Sequence, residues 1–326
     1  MINWRKPLWE KQEYRYPHGA GVGFSPFLTA YLHEDQEVRP IMIVVPGGAY
    51  RYPSVREAAP VARRFYDLGY QAFVLTYTCN PALKVPLGMQ PLDDLARAVR
   101  LVRMGTGEIH GDPDRLVVCG FSAGGHLTGS LCVHHADAED PDPEKNRVSA
   151  RPDAAVLSYP VITSEPGMTH AVTMQALLGE NPPAAFTEYM SLEKQVQADT
   201  PPAFLWSTVT DESVPMENAL RYATALREKK IPFELHVFSQ GKHGLSLGDE
   251  DWALRRCSET YVREQELAVL KAAEEGRIPM SEEEKDAFFK DFLYGPYAGV
   301  KDYDTPAPWI GNWPEMADSF IKRTLH

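Results

Sequence analysis

The chain has 326 residues, 44% of them hydrophobic and 24% charged, and a formal charge of −12. This is the composition of an ordinary globular protein, and it excludes disordered, collagen-like and membrane-embedded classes. The acidic balance also excludes nucleic acid and anionic membrane as partners, since both select basic clusters, and it leaves a neutral or cationic small molecule.

No stretch approaches the roughly 18 uninterrupted apolar residues of a membrane-spanning helix. The first ten residues carry Arg5, Lys6 and Glu10 in place of an apolar signal core, so a cytoplasmic location is expected. Short β-branched runs predict strands over 41–45, 72–75, 115–118, 154–157, 203–206 and 233–238. Most are apolar throughout, as strands covered on both faces should be. Segments of helical spacing lie between them, over 55–68, 91–103, 123–134 and 215–229. Pro91 opens one helix where its missing N–H costs nothing, and Asp93 and Asp94 set carboxylates at the positive helix end. The alternation predicts one α/β domain over 1–326, a mostly parallel sheet with helices on both faces.

Residues 137–144 read as an acidic, proline-broken surface loop. At about 264–305 the character changes to a Glu- and Lys-rich stretch followed by aromatics, predicted as a helical insertion, and an amphipathic helix over 313–325 returns to the sheet. Cys79, Cys119, Cys132 and Cys257 are widely spaced and are expected to be reduced thiols.

The strand over 115–118 leads into Gly120-Phe121-Ser122-Ala123-Gly124-Gly125-His126, and a helical pattern follows at once. This is a G-x-S-x-G turn between strand and helix, where small flanking residues let a serine project from a strained backbone. A serine hydroxyl needs a base within hydrogen-bond reach and a third group to orient that base. Asp211 follows the strand over 203–206, and His243 follows the strand over 233–238. All three candidates fall at strand C-terminal ends, the rim where open α/β sheets place their sites. Glu212 is the alternative acid, and a helix-capping role is the alternative for Asp211. His126 is read as structural. His134 and His135 near Asp137 invite a metal reading, but neighbouring side chains on a helix diverge and no second ligand pair has suitable spacing.

An oxyanion needs donors. The amide of Ala123 is one, and the glycine-rich turn Pro46-Gly47-Gly48-Ala49-Tyr50 offers Gly48 and Ala49 as the others. No Lys-Ser/Thr follows these glycines, which argues against a phosphate cradle. Tyr50, Arg56 and Trp206 are substrate-pocket candidates, with an Arg56–Glu57 ion pair as the structural alternative.

The turn Pro46–Tyr50, Ser54-Val55-Arg56-Glu57, the segment Gly120–Leu127, Leu157-Ser158-Tyr159-Pro160, Asp211-Glu212-Ser213-Val214-Pro215 and Gly241-Lys242-His243-Gly244 together resemble the carbohydrate acetyl-esterase branch of the α/β-hydrolases, relatives of the prolyl-oligopeptidase catalytic domain. The resemblance covers roughly 25–247 and the last helix. It implies the α/β-hydrolase fold and an esterase acting on short acyl, above all acetyl, esters of oligosaccharides. It also implies a triad of Ser122, Asp211 and His243 and an oxyanion turn at Gly48 and Ala49. Two departures stand out: the turn has Ala49 where a third glycine is usual, and Ser207 stands where the strand before the acid often has His. The chemistry requires neither cofactor nor metal. The insertion is a candidate lid or dimer contact in a homo-oligomer. The rival readings are a prolyl-oligopeptidase-type peptidase, for whose gating domain the chain has no room, and a non-catalytic binding protein on the same fold.

Overall fold

The computed structural model describes residues 2–10, 12–257, 259–294 and 304–325. Its strands are β1 (Trp4–Pro7), β2 (Phe27–Tyr31), β3 (Arg39–Val45), β4 (Gln71–Thr76), β5 (Gly111–Phe121), β6 (Ala154–Ser158), β7 (Ala203–Thr208) and β8 (Phe233–Phe238). They form one sheet in the order β1-β2-β4-β3-β5-β6-β7-β8. From β4 to β8 every neighbouring pair is parallel, whereas β1 pairs antiparallel with β2, and β2 with β4. The six expected strands are the parallel part. The two additional ones extend the sheet with antiparallel pairing beyond β4, and β1 closes that edge with Arg5 and Lys6 exposed, side chains that discourage further pairing.

The helices that matter for the site are α1 (Ala59–Asp67), α2 (Gln90–Met104), α3 (Ser122–His134), α4 (Ala171–Leu178), α5 (Glu217–Glu228), α6 (Glu264–Glu274), α7 (Glu282–Tyr294) and α8 (Trp313–Thr324). The segment expected as one helix over 55–68 is divided into a 3₁₀ turn, Val55–Glu57, and α1. Side chains alternate along β3 into two layers: Ile41, Ile43 and Val45 pack on one face with Leu116 and Val118, while Met42 and Val44 pack on the other with Val117, Cys119 and Trp313. A strand with period two and no polar face must be covered twice, which is what the apolar runs required. Each fully buried Leu, Ile or Phe in these layers contributes about 1.5–3 kcal/mol of transfer free energy.

Helix α3 follows β5 without a break and is buried on nearly every side, so apart from His126 and His134, which are hydrogen-bonded, its residues are small or apolar all round. The stretch expected as a helical insertion contains α6 and α7, and the part of its aromatic run over 295–303 lies outside the described residues. Gln265 fastens α6 to the body: its amide donates to the carbonyls of His18 and Cys79, and its Oε1 accepts from the Cys79 amide at 2.6 Å. Among the described residues no helix is long and apolar enough to cross a membrane. Cys79, Cys119 and Cys132 are buried, Cys257 is half-buried, and all four are free thiols.

Candidate active site

Ser122 stands at the junction of β5 and α3 with φ of 52°, the left-handed region that a side chain tolerates only under constraint. The constraint comes from close packing. A Cβ on Gly120 would overlap the Gly124 carbonyl and the Thr128 hydroxyl, and one on Gly124 would overlap the carbonyls of Val45 and Pro46. The two motif glycines therefore let the turn lie against its own helix and against β3.

His243 lies in the loop after β8 and meets Ser122 with Nε2 2.7 Å from Oγ. Its Nδ1 is 2.6 Å from Asp211 Oδ2. A carboxylate accepts only, so Nδ1 carries the imidazole proton and Nε2 presents a lone pair to the serine hydroxyl. Asp211 is itself held: its Oδ1 accepts from the amides of Ser213 and Val214, both at 2.9 Å. Thus Asp211 occupies two amides of its own turn as well as the histidine, while Glu212 points to solvent. Tyr159 stacks edge-on against His243 with ring centroids 5.0 Å apart.

The glycine turn abuts this group, since a Cβ on Gly47 would come within 2.9 Å of Ser122 Cβ. Gly48 has φ of 119°, and Ala49 and Tyr50 both follow in the left-handed region at 56° and 57°. The turn's internal hydrogen bonds use the amides of Arg51, Tyr52 and Ser54, leaving those of Gly48 and Ala49 outside them. Gly47 N donates to Glu57 Oε2 at 2.9 Å.

The pocket candidates are corrected. Trp206 is fully buried: its indole donates to Ser158 Oγ and stacks on Trp313, so it belongs to the core beneath the site. Tyr50 is also buried and turns its hydroxyl to His126, away from the rim. Arg56 pairs with Asp304 at 2.9 Å and lies over the Trp252 ring, and Asp304 also pairs with Lys242, next to His243. The Arg56–Glu57 pair is not formed, Glu57 being taken by Gly47 and Tyr159, and through Asp304 Arg56 braces the histidine loop. His134 and His135 turn to different partners, Tyr189 and Asp199.

Three residues near the site were given no role in it by the sequence, although Glu57 and Tyr159 lie in segments that carry the resemblance. Glu57 is buried, and besides Gly47 it accepts from the Tyr159 hydroxyl at 2.7 Å. Tyr159 in turn accepts from the Ser246 amide at 3.0 Å. His170, the N-cap of α4, is half-buried, and burial together with the nearby His243 lowers its pKa.

The BD-FAE family model matches residues 28–226, a stretch that includes Ser122 and Asp211 and ends before His243. Endo-1,4-beta-xylanase B of Butyrivibrio fibrisolvens is 47% identical over 76% of this chain and 39% of its own length. Acetylxylan esterase of Xylanibacter ruminicola is 26% identical over 68% of this chain and 44% of its own. The chain thus spans about two fifths of these curated relatives. The solved acetyl ester-xyloside bifunctional hydrolase of Caldicellulosiruptor lactoaceticus superposes with a TM-score of 0.68 at 37% identity, covering 85% of this chain and 97% of that one. With an eight-stranded, mostly parallel sheet and a serine at the turn after its fifth strand, the chain has the α/β-hydrolase fold and belongs to the BD-FAE family.

Proposed function

We propose that this protein is a serine esterase that removes acetyl groups from xylo-oligosaccharides. The observation that carries the reading is the continuous hydrogen-bonded line from Ser122 Oγ through His243 to Asp211, at 2.7 and 2.6 Å. In this reading Ser122 Oγ attacks the ester carbonyl carbon while His243 Nε2 takes its proton. The negative carbonyl oxygen is held by the amides of Ala123, Ala49 and Gly48. The imidazolium, stabilised by Asp211, returns the proton to the leaving sugar hydroxyl. Water then attacks the acetyl-serine by the same route and releases acetate. No step uses a metal or a cofactor.

The relatives support the substrate class, since xylan, acetylxylan, and an acetyl ester together with a xyloside are what they act on. Cleavage of the xylan chain itself fits the site less well. Glycoside hydrolysis commonly uses two facing carboxylates, one on each side of the bond. Here Asp211 is committed to His243 and two amides, and Glu57 is committed to Gly47 and Tyr159. The free thiols fit a reducing compartment, and we place the enzyme in the cytoplasm.

The test is hydrolysis of nitrophenyl acetate, butyrate and octanoate, with acetate release from acetylated xylo-oligosaccharides, by the wild type and by Ser122→Ala. Preference for acetate and its loss in the variant are expected. Activity that survives Ser122→Ala would remove the nucleophile assignment, and preference for octanoate would move the substrate to lipids.

A further inference from the structure

Beside the Gly47–Tyr50 turn lies a cleft of about 840 Å³, a volume typical of small-molecule sites. One wall is the loop over 81–86 after β4, another the C-terminal end of α4 with Gln175 and the segment that follows it with Asn181, and the outer wall is α7 with Glu284 and Phe288. Arg51, two residues beyond Ala49, closes the end nearest the glycine turn and donates to the Pro81 carbonyl at 3.1 Å.

Helix α4 joins this cleft to the catalytic group. Its N-cap, His170, sits near His243 and Asp211, and its other end forms the cleft wall. Eight helical residues at 1.5 Å each separate the two by about 12 Å. The floor is rigid: Leu87 N and Gly88 N donate to the carbonyls of Ala176 and Leu177, and Asn80 bridges the Tyr50 and Ala176 carbonyls. The outer wall is fastened by the Lys84–Glu284 ion pair at 2.5 Å.

The lining favours an uncharged ligand. Arg51 and Lys84 would repel a cation, Glu180 and Glu284 an anion, so neither sign prevails. Between them Gln175 and Asn181 supply amide donors and acceptors, and Phe288 with Met280 supplies an apolar face. Hydroxyls in the plane of a sugar ring and C–H groups on its face match that combination. We propose that the cleft is a glycan subsite, holding an unreacting part of the oligosaccharide while its acetyl group lies at Ser122. The inference rests on the esterase reading above and adds where the sugar chain is bound. It also gives the insertion a role, because α7 supplies the outer wall. Binding energy gathered there can be spent on orienting the ester at the serine.

The experiment compares kcat/KM for acetylated xylo-oligosaccharides with that for nitrophenyl acetate, in the wild type, in Gln175→Ala/Asn181→Ala and in the cleft-filling Asn181→Trp. In parallel, titration calorimetry measures binding of unacetylated xylo-oligosaccharides to Ser122→Ala with and without the same changes. The ratio of the two kcat/KM values is expected to fall at least tenfold in both cleft variants, with binding weakened by a similar factor. An unchanged ratio with undiminished binding would overturn the subsite while leaving the esterase reading intact. A folded wild type that hydrolyses neither substrate would overturn both.

Discussion

The Tyr50 hydroxyl and His126 Nδ1 meet at 3.0 Å beneath the glycine turn. His126 Nε2 is 3.0 Å from the Met190 carbonyl, which only accepts, so Nε2 holds the proton and Nδ1 receives the tyrosine hydroxyl. Burial takes His126 down to about 4, and the ring stays neutral across the physiological range. The residue at the left-handed end of the turn is therefore tied to the helix that begins at Ser122.

Tyr50→Phe removes that tie and leaves a buried acceptor with only the weaker Ser130 hydroxyl at 3.4 Å. A destabilisation of about 1–3 kcal/mol is expected. Because the turn carries Gly48 and Ala49, kcat on nitrophenyl acetate should also fall roughly 10- to 100-fold with little change in KM. Thermal melting read beside kcat separates the two effects. A lowered melting temperature with kcat intact would mean that Tyr50 serves stability alone.

Asp211→Asn tests the choice of acid. The two amides at Oδ1 would hold the asparagine carbonyl oxygen in that place, turning its NH₂ toward His243 Nδ1. The imidazole must then protonate at Nε2, the wrong tautomer for accepting the serine proton. A loss of about 10⁴-fold in kcat is expected. Glu212→Gln, on the exposed neighbour, should leave kcat within about twofold. Steady-state kinetics on both variants would reverse the assignment if Glu212→Gln were the damaging one.

Much of this architecture is written locally. The parallel strands announce themselves as apolar runs, and Ser122, Asp211 and His243 each follow such a run closely enough to be placed on one rim. Strand β1 is hidden because Arg5, Lys6 and Pro7 face solvent and only Trp4 is partly covered. Trp206 misled because its position near a strand end does not reveal that its ring points into the layer holding Trp313, a partner more than a hundred residues away. Arg56 and Asp304 are separated by 248 residues, and Glu57 and Tyr159 by 102. No local pattern encodes such pairs, so the supports of the site are less legible than its reacting groups.

Asp93, expected as a helix-end charge, is largely covered, and burial together with the Asp94 carboxylate raises its pKa from 3.8 to about 7. The folded state therefore keeps a proton that the unfolded chain releases near 3.8. Its effect on stability is most favourable below that pH, declines as pH rises toward 7, and is constant above. Asp93→Asn should stabilise the protein by about 1–2 kcal/mol at pH 8, a value reduced for partial solvent screening, and by almost nothing at pH 4. Urea unfolding of both proteins at the two pH values provides the check. An equal gain at both would show that the charge is not the cause.

Glu57 links the two sides of the catalytic group. One oxygen holds Gly47 N at 2.9 Å, the other takes the Tyr159 hydroxyl at 2.7 Å, and Tyr159 receives the Ser246 amide of the segment following His243. Glu57→Gln keeps the shape but only one of the two accepting oxygens. If the amide oxygen faces Gly47, its NH₂ confronts a Tyr159 oxygen already accepting from Ser246, and the tyrosine proton loses its partner. If it faces Tyr159, two N–H donors meet at Gly47. Either arrangement leaves a buried donor unsatisfied, at about 1–3 kcal/mol. Tyr159→Phe also leaves the Ser246 amide without its acceptor, whereas Gly47 keeps its own. With its amide oxygen on Tyr159, the glutamine variant disturbs the turn proposed to carry the oxyanion donors and should reduce kcat more than the phenylalanine variant at similar loss of stability; with that oxygen on Gly47, the two variants should lose kcat alike. Affinity for a trifluoromethyl ketone, which forms a tetrahedral oxyanion on Ser122, should fall in parallel with kcat for Glu57→Gln. Equal kinetic losses in the two variants would instead place the effect on the histidine side.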